Sequence, residues 1–402
     1  MKLDRREFIC GASLAAAGCV VANRFPVCEG YSVSVLGDIH YDRPPVDTFH
    51  ARFRELHLKD GLWDRYEEEF GSFSSMWGDF GCSGNLVEAS GCALGPDSRL
   101  AVQLGDLIEG DCESPECHRQ MLSEALELMK RTYGDSIPFV TVCGNHDIRQ
   151  GANRQGEYDN YRRIASAWHS RELSQKVDDI TFSFWQGSDL WIVADYNRPD
   201  VERVEMLLDE GRSARYVFFC THGAVLTDGA RNPRCWFYLG RPQYDSAGRR
   251  MKRDALDREI PKWNEARRRI RRILAERQAI VLSGHSHRLE LRDWFGDGGH
   301  ITEFVMNSTT RTTHGLDQPG LPRVVGDTPG DFGRCRYQPR WGASEDAEGI
   351  YREYAAGIRR YYTADAAGHA VLRVSDEGVR ADYYPLDATT PCQTFVLRER
   401  KC

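Results

Sequence analysis

The sequence predicts an α/β protein whose chemistry sits at the ends of buried strands. Three observations carry this reading. Short apolar runs rich in branched and aromatic residues recur along the chain, at Tyr31–Leu36, Leu100–Leu104, Ile137–Cys143, Tyr216–Cys220, Ala279–Leu282 and Ile301–Met306. Near-continuous apolar runs of this length suit strands buried on both faces. Segments of helical period lie between several of them, an alternation that produces layered α/β architectures. A metal-capable residue directly follows five of the runs, and in α/β sheets ligands gather beyond the carboxyl ends of strands.

The first residues stand apart. Residues 1–30 read as an export signal: Arg5 and Arg6 precede Glu7, Phe8 and Ile9, followed by an apolar stretch through Ala22. That stretch is short for a membrane span and suits a signal core. Arg-Arg-Glu-Phe-Ile resembles a twin-arginine signal, which implies the twin-arginine export machinery as a partner and an extracytoplasmic or periplasmic destination. Ala16-Ala17-Gly18-Cys19 resembles a lipoprotein cleavage box, in which Cys19 carries a lipid anchor; cleavage after Ala22 is the alternative.

Composition bounds the rest. With 402 residues, 41% hydrophobic and 28% charged, the chain is neither disordered nor fibrous. Lys+Arg 53 against Asp+Glu 60 gives a net charge of −7, so there is no nucleic-acid-binding signature in the charge balance. Of 13 cysteines none forms a CxxC pair, which argues against a zinc module. Cys82 with Cys92, or Cys112 with Cys117, would close short loops in an oxidising compartment. Cys143 and Cys220, inside apolar runs, are expected as buried thiols.

Taken in order, the elements follow from local pattern. Met121, Leu122, Ala125, Leu128 and Met129 share one helical face, as do Trp263, Ala266, Ile270 and Ile273 or Leu274, with Pro261 suited to the first turn of the second helix. Thr181–Trp185 and Leu190–Ala194 flank a turn-like Gln186-Gly187-Ser188-Asp189 and read as a hairpin; Ala370–Val374 and Val379–Tyr384 read as another. Arg267, Arg268, Arg269, Arg271, Arg272 and Arg277 read as the solvated side of an amphipathic helix. We divide the chain into the signal at 1–30, a main domain at 31–325 with insertions at 42–98 and 223–259, and a C-terminal extension at 326–402 with a terminal β-hairpin, packed on the same domain. A third stretch without a core pattern spans Thr310–Gly357.

The strand-end residues are Asp38-Ile39-His40, Gly105-Asp106, Gly144-Asn145-His146-Asp147, Thr221-His222-Gly223 and Gly284-His285-Ser286-His287. Carboxylates, imidazoles and one amide oxygen suit borderline first-row cations such as Mn, Fe or Zn. Asp38, His40, Asp106, Asn145, His222, His285 and His287 would oversupply one ion, whereas two ions sharing a bridging carboxylate use them all. His300 and His314 are rivals for the place of His222. A two-metal site acidifies a water and stabilises both the attacking and leaving oxygens of phosphoryl transfer. His146 offers a proton donor for the leaving oxygen.

This ordered series resembles the calcineurin-like metallophosphoesterase superfamily. The resemblance implies a two-sheet β-sandwich flanked by helices, with a dinuclear metal site at strand C-terminal ends. It implies Asp38, His40 and His287 on one metal, Asn145, His222 and His285 on the other, and Asp106 between them. His146 matches the family histidine that assists the phosphoryl oxygen or leaving group, and Glu109 stands where many relatives carry an acid that orients it. Purple acid phosphatases carry tyrosine at the place of Glu109, and the protein Ser/Thr phosphatase signature is absent from Gly105–Gly110. The implied function is therefore phosphodiesterase-like hydrolysis by in-line attack of a metal-bridging hydroxide. The alternatives are a pyrophosphatase acting on nucleotide diphosphates of the ADP-ribose or CDP-alcohol class, a phosphomonoesterase, or a non-catalytic scaffold. Scaffold members typically lose ligands or the leaving-group histidine, and this sequence keeps both. Trp63, Trp77, Trp236, Phe237 and Tyr238 are read as loop anchors or base-stacking residues, and Arg231, Arg234 and Arg241 as surface pairs or phosphate contacts.

Overall fold

The computed structural model describes residues 30–41, 90–91, 93, 95–110, 115–148, 154–226, 253–309, 324–326, 353–364, 367–385 and 388–399, with 154–156, 253–264 and 324–326 described by backbone alone. Strands β1 (Gly30–Leu36), β2 (Ser98–Gln103) and β3 (Phe139–Thr141) follow one another with helix α1 (Pro115–Tyr133) between the last two. Helix α2 (Arg154–Glu172) leads to β4 (Phe182–Gln186) and β5 (Asp189–Ala194), and α3 (Val201–Glu210) to β6 (Val217–Thr221). After α4 (Arg253–Glu276) come β7 (Ile280–Ser283), β8 (Leu289–Gly296) and β9 (Gly299–Val305). The chain ends with β10 (Val324–Gly326), β11 (Ile358–Ala364), β12 (Gly368–Ser375), β13 (Gly378–Pro385) and β14 (Gln393–Glu399).

Two sheets result. One has the order β14-β13-β12-β1-β2-β3, the other β10-β11-β8-β9-β7-β6-β5-β4. The C-terminal strands are built into both, β11 against β8 and β12 against β1. The expected hairpins are present, β4 with β5 and β12 with β13.

The period-2 alternation explains the layering. On β5, Trp191 and Val193 join a core cluster that also contains Val33, Val35, Leu100 and Val102 from the other sheet; this is the sandwich interior. Leu190, Ile192 and Ala194 face the opposite way, onto Val204 and Leu207 of α3 and Ile270 and Leu274 of α4. The outer face of the six-stranded sheet packs likewise on α1 and α2 through Met121, Leu122, Met129, Tyr161 and Trp168. Strands apolar on both faces need cover on both, and the helices supply it.

Several local readings change. Pro261 lies inside α4, which begins at Arg253. Proline leaves one intrahelical acceptor unmatched and is tolerated where the rest of the helix is anchored. The same helix start places 253–259 outside the expected insertion. On α1, Leu126 is buried in place of the half-buried Leu128. The run Ile137–Cys143 yields only the three-residue β3, because its end turns away into the site loop. Arg267 and Arg271 are buried rather than solvated: Arg271 pairs with Glu353 and Asp297, and both guanidiniums lie over the Tyr354 ring. Packing an arginine stem and face on an aromatic overrides a polarity-based assignment. Arg268 and Arg272 remain exposed.

Cys143 and Cys220 are buried, and burial pushes both thiols up. Cys82, Cys92 and Cys112, residues 1–29 of the signal, His314, most of the three patternless stretches, and the tryptophans and arginines singled out within them lie outside the described residues, while Gly30, set at the end of the signal, opens β1. Among the described residues, no helix is long and apolar enough to cross a membrane.

Candidate metal centre

The site straddles the two sheets. Asp38, Asp106 and Asn145 follow β1, β2 and β3 of one sheet, whereas His222, His285 and His287 follow β6 and β7 of the other. All these strands run parallel to their neighbours in the relevant pairs, so their carboxyl ends emerge on one side. His40, Asp106, His285 and His287 all have positive φ, from 50° to 67°. Asp and His tolerate this region better than branched residues, and here it turns each side chain back over its strand end. Two glycines make room: a Cβ on Gly144 would lie 2.2 Å from Asp106 Oδ1, and one on Gly284 2.5 Å from Asp38 Oδ1.

Three groups could each hold a metal ion: Asp38 with His40 and His287, Asp106 with His222 and His285, and His40 with Asp106 and His146. Within each, the ligand atoms all lie within 4.8 Å of one another. In the first, His287 Nε2 is 2.9 Å from Asp38 Oδ2 and 3.2 Å from His40 Nε2. In the second, His222 Nε2 lies 3.1 Å from Asp106 Oδ2 and 2.8 Å from His285 Nδ1. Asn145 Oδ1 joins it, 3.2 Å from His222 Nε2. The seven sequence-predicted ligand residues are thus brought together, with Asp106 in two of the groups. His300 is elsewhere, stacked on Phe295 and paired with Asp293.

The donor chemistry fits cations. His222 Nδ1 donates to the carbonyl of Leu104 at 2.8 Å, so in the neutral ring the lone pair lies on Nε2. That lone pair then faces two further acceptors, Asp106 Oδ2 and Asn145 Oδ1, an arrangement that a cation satisfies. His40 Nδ1 faces Glu109 Oε2 at 2.9 Å, leaving its Nε2 toward Asp38's group in the same way. Burial pushes both imidazoles down, but the carboxylates of Glu109 beside His40 and Asp106 beside His222 outweigh it and hold each at about 9. The field here draws positive charge inward, and a metal ion answers the same field. Burial raises Asp106, but His222 and His146 outweigh it and hold the carboxyl well below its usual range.

The carboxylates are held as tightly as the imidazoles. Asp38 accepts from the backbone N–H of His285 through both oxygens, at 3.0 and 3.1 Å. Asp106 Oδ1 accepts from the backbone of His146 at 2.7 Å. Glu109 is fully buried; its Oε1 lies 2.8 Å from His146 Nδ1. Burial would raise Glu109, and the neighbouring His146 and His40 more than reverse that.

Asp147 has no role of its own in the sequence reading, and several other residues at the site escape it. Asp147 is buried and accepts from the backbone N–H groups of Asp106, Ile108 and Gly144 at 3.0, 3.0 and 2.7 Å. Burial and the charge of Asp106 push it up to about 7. Tyr196, just past β5, sets its ring 5.4 Å from His222 and 5.3 Å from His285. Asn197 donates to the carbonyl of Gly144 at 3.1 Å. Ser308 and Thr309 lie past β9. Each of these follows an apolar run, the same signal that marked the ligands; Tyr196, Asn197, Ser308 and Thr309 passed unnoticed because tyrosine, asparagine, serine and threonine there did not stand out as metal ligands.

Comparison with known proteins agrees with this geometry. The model of the calcineurin-like phosphoesterase family matches residues 31–289. No curated protein sequence matches the chain. Among solved structures, that of PhoD is similar at 13% identity and a TM-score of 0.47, over 92% of this chain and 69% of that one. A dimetal phosphatase from Danio rerio is similar at 11% identity and 0.47, over 93% and 100%. GAP50, the anchor in the inner membrane complex of Plasmodium, is similar at 10% identity and 0.44, over 92% and 90%.

Proposed function

The chain belongs to the calcineurin-like phosphoesterase family and is a metal-dependent phosphoester hydrolase, and from that premise we propose that its substrates are phosphodiesters. The supporting observation is the charge of the donor set. Among the seven ligand residues only Asp38 and Asp106 are anionic; the others are neutral imidazoles and an amide. Two divalent ions held there would leave a surplus of two positive charges, of which a hydroxide nucleophile would offset one. A diester's single negative charge neutralises the remainder, whereas a monoester dianion overshoots it.

Metal ions held by Asp38, His40 and His287, and by Asn145, His222 and His285 with Asp106 shared, would supply an acidified water and stabilise charge on the phosphoryl oxygens. The chain's own residues do the rest. His146, with Nδ1 held by Glu109, keeps Nε2 for the substrate and hands its proton to the departing alkoxide as the ester P–O bond breaks. Glu109, buried and anionic, steadies the imidazolium before that transfer. Relative turnover of bis-p-nitrophenyl phosphate and p-nitrophenyl phosphate, with Asp106→Asn as control, tests the reading. A higher kcat/KM for the diester is expected. Preference for the monoester overturns it, and cleavage of ADP-ribose or a CDP-alcohol without diester turnover replaces it with a pyrophosphatase.

We also infer that the chain leaves the cytoplasm by twin-arginine export. Arg5-Arg6 ahead of the apolar stretch through Ala22 supports this. Arg5→Lys with Arg6→Lys should retain the precursor in the cytoplasm, and undiminished export would overturn the inference. Incorporation of labelled fatty acid, lost in Cys19→Ala, is the corresponding test for a lipid anchor.

A further inference from the structure

Because the candidate centre draws its donors from both sheets, anything that fixes one strand end against the other sheet sets the geometry of the ligands. Asn307-Ser308-Thr309 does this for Asp38. The three residues continue β9, in the eight-stranded sheet, and all are fully buried. Asp38 continues β1, in the six-stranded sheet. The main-chain carbonyl of Asp38 accepts from Ser308 Oγ at 2.9 Å, from the Thr309 backbone N–H at 2.9 Å and from Thr309 Oγ1 at 3.2 Å. The approach is close: a Cβ on Gly37 would meet the Asn307 carbonyl oxygen at 2.1 Å. Asn307 Oδ1 in turn accepts from the Ser308 backbone at 2.7 Å, which shapes the turn that presents both hydroxyls.

We propose that Ser308 and Thr309 are positioning residues for the metal group of Asp38, His40 and His287: they hold the Asp38 backbone across the sheet–sheet gap. This rests on the metal-centre reading above. The Asp38 carboxylate reaches His287 from a backbone anchored by these hydroxyls, while the His285 N–H holds the carboxylate itself. Removing the hydroxyls leaves a buried carbonyl with fewer donors and lets the Asp38 main chain shift, and a ligand moved by a fraction of an ångström binds its ion less well. The group of Asp106, His222 and His285 has anchors of its own, Leu104 O for His222 and the His146 backbone for Asp106. It meets the Asp38 segment at one remove, through the His285 N–H on the Asp38 carboxylate and the Ile39 and His40 N–H groups on the Asp106 carbonyl.

The test is calorimetric titration of the full chain, stripped of metal and reloaded with Mn2+. His287→Ala and His285→Ala identify which binding event belongs to which group. Ser308→Ala with Thr309→Val should weaken the event lost in His287→Ala by about tenfold or more and the other event much less. Ser308→Thr and Thr309→Ser, which keep the hydroxyls, should restore it. Unchanged binding overturns the proposal, as does equal weakening of both events with a fall in Tm, which marks a general structural role. A wild-type chain that binds no Mn2+ overturns the metal-centre reading and this proposal with it, so the two failures are told apart.

Discussion

Glu109 holds His146 through one carboxylate oxygen while its other oxygen faces His40, at 2.8 and 2.9 Å. One buried acid therefore steadies both a candidate ligand and the proton donor. Glu109→Gln keeps one acceptor oxygen and turns an NH2 toward the other histidine. Turnover of alkyl diesters, whose leaving groups need a proton, should fall about 10²- to 10⁴-fold. Bis-p-nitrophenyl phosphate, with its acidic leaving group, should lose much less. Equal losses on both substrates would remove His146 from the role of proton donor.

Asp147 joins the loops after β2 and β3 through three backbone N–H groups. Asp147→Asn sets an amide NH2 against a backbone N–H and should cost about 1–3 kcal/mol of stability. Because one of the three donors is the N–H of Asp106, bound metal should fall as well. Denaturant unfolding and metal analysis of the same preparation check both effects, and unchanged metal content would separate Asp147 from the site.

His169 on α2 accepts the Thr141 N–H through Nε2, and burial pushes it down to about 3. The folded chain thus holds this imidazole neutral, while the unfolded chain protonates it below about 6.5. Its contribution is complete above that pH. It declines by about 1.4 kcal/mol per unit as pH falls from about 6.5 toward 3. His169→Gln, which keeps an acceptor for Thr141, should flatten the dependence of Tm on pH between 7 and 5. An unaltered slope would assign the acid sensitivity elsewhere.

Away from the site, Asp189 at the start of β5 accepts Arg215 through both oxygens at 2.9 and 2.6 Å, and Tyr31 of the opposite sheet at 2.8 Å. Arg215 also pairs with Asp376 in the β12–β13 turn. Arg215→Ala strands the buried Asp189 and should cost about 3–5 kcal/mol. Metal content of the protein that remains folded should match wild type. A drop in stoichiometry would show that this end of the sandwich communicates with the other.

Much of the architecture was legible one strand at a time. Tyr31–Leu36 and Tyr216–Cys220 announce themselves because strands buried on both faces are mostly apolar and carry no charged residue, the two serines of the first being small enough to bury with a hydroxyl partner. Strand β8 did not, since Glu290, Arg292 and Asp293 break its apolar pattern. In the fold these charges are buried in pairs: Arg292 bonds Glu290 and Glu303, and Glu303 caps the N–H groups of Val225 and Leu226. A buried ion network is invisible to periodicity because each member looks solvated until its partner is known. The same blindness applied to Arg267 and Arg271, whose aromatic partners lie far along the chain.

The sequence by itself determined which side chains are available at the strand ends, their order, and hence the kind of cation and reaction they suit. Residue type and spacing are local properties, and the ends of apolar runs mark where chemistry can emerge. Only the tertiary structure decided which strand belongs to which sheet, and so that the ligands converge across a sheet–sheet gap. It also decided that Asn197, Ser308 and Thr309 hold that gap closed, and that Asp147 ties together two loops of one sheet. Their partners are backbone N–H and C=O groups, which every residue carries and no sequence pattern distinguishes.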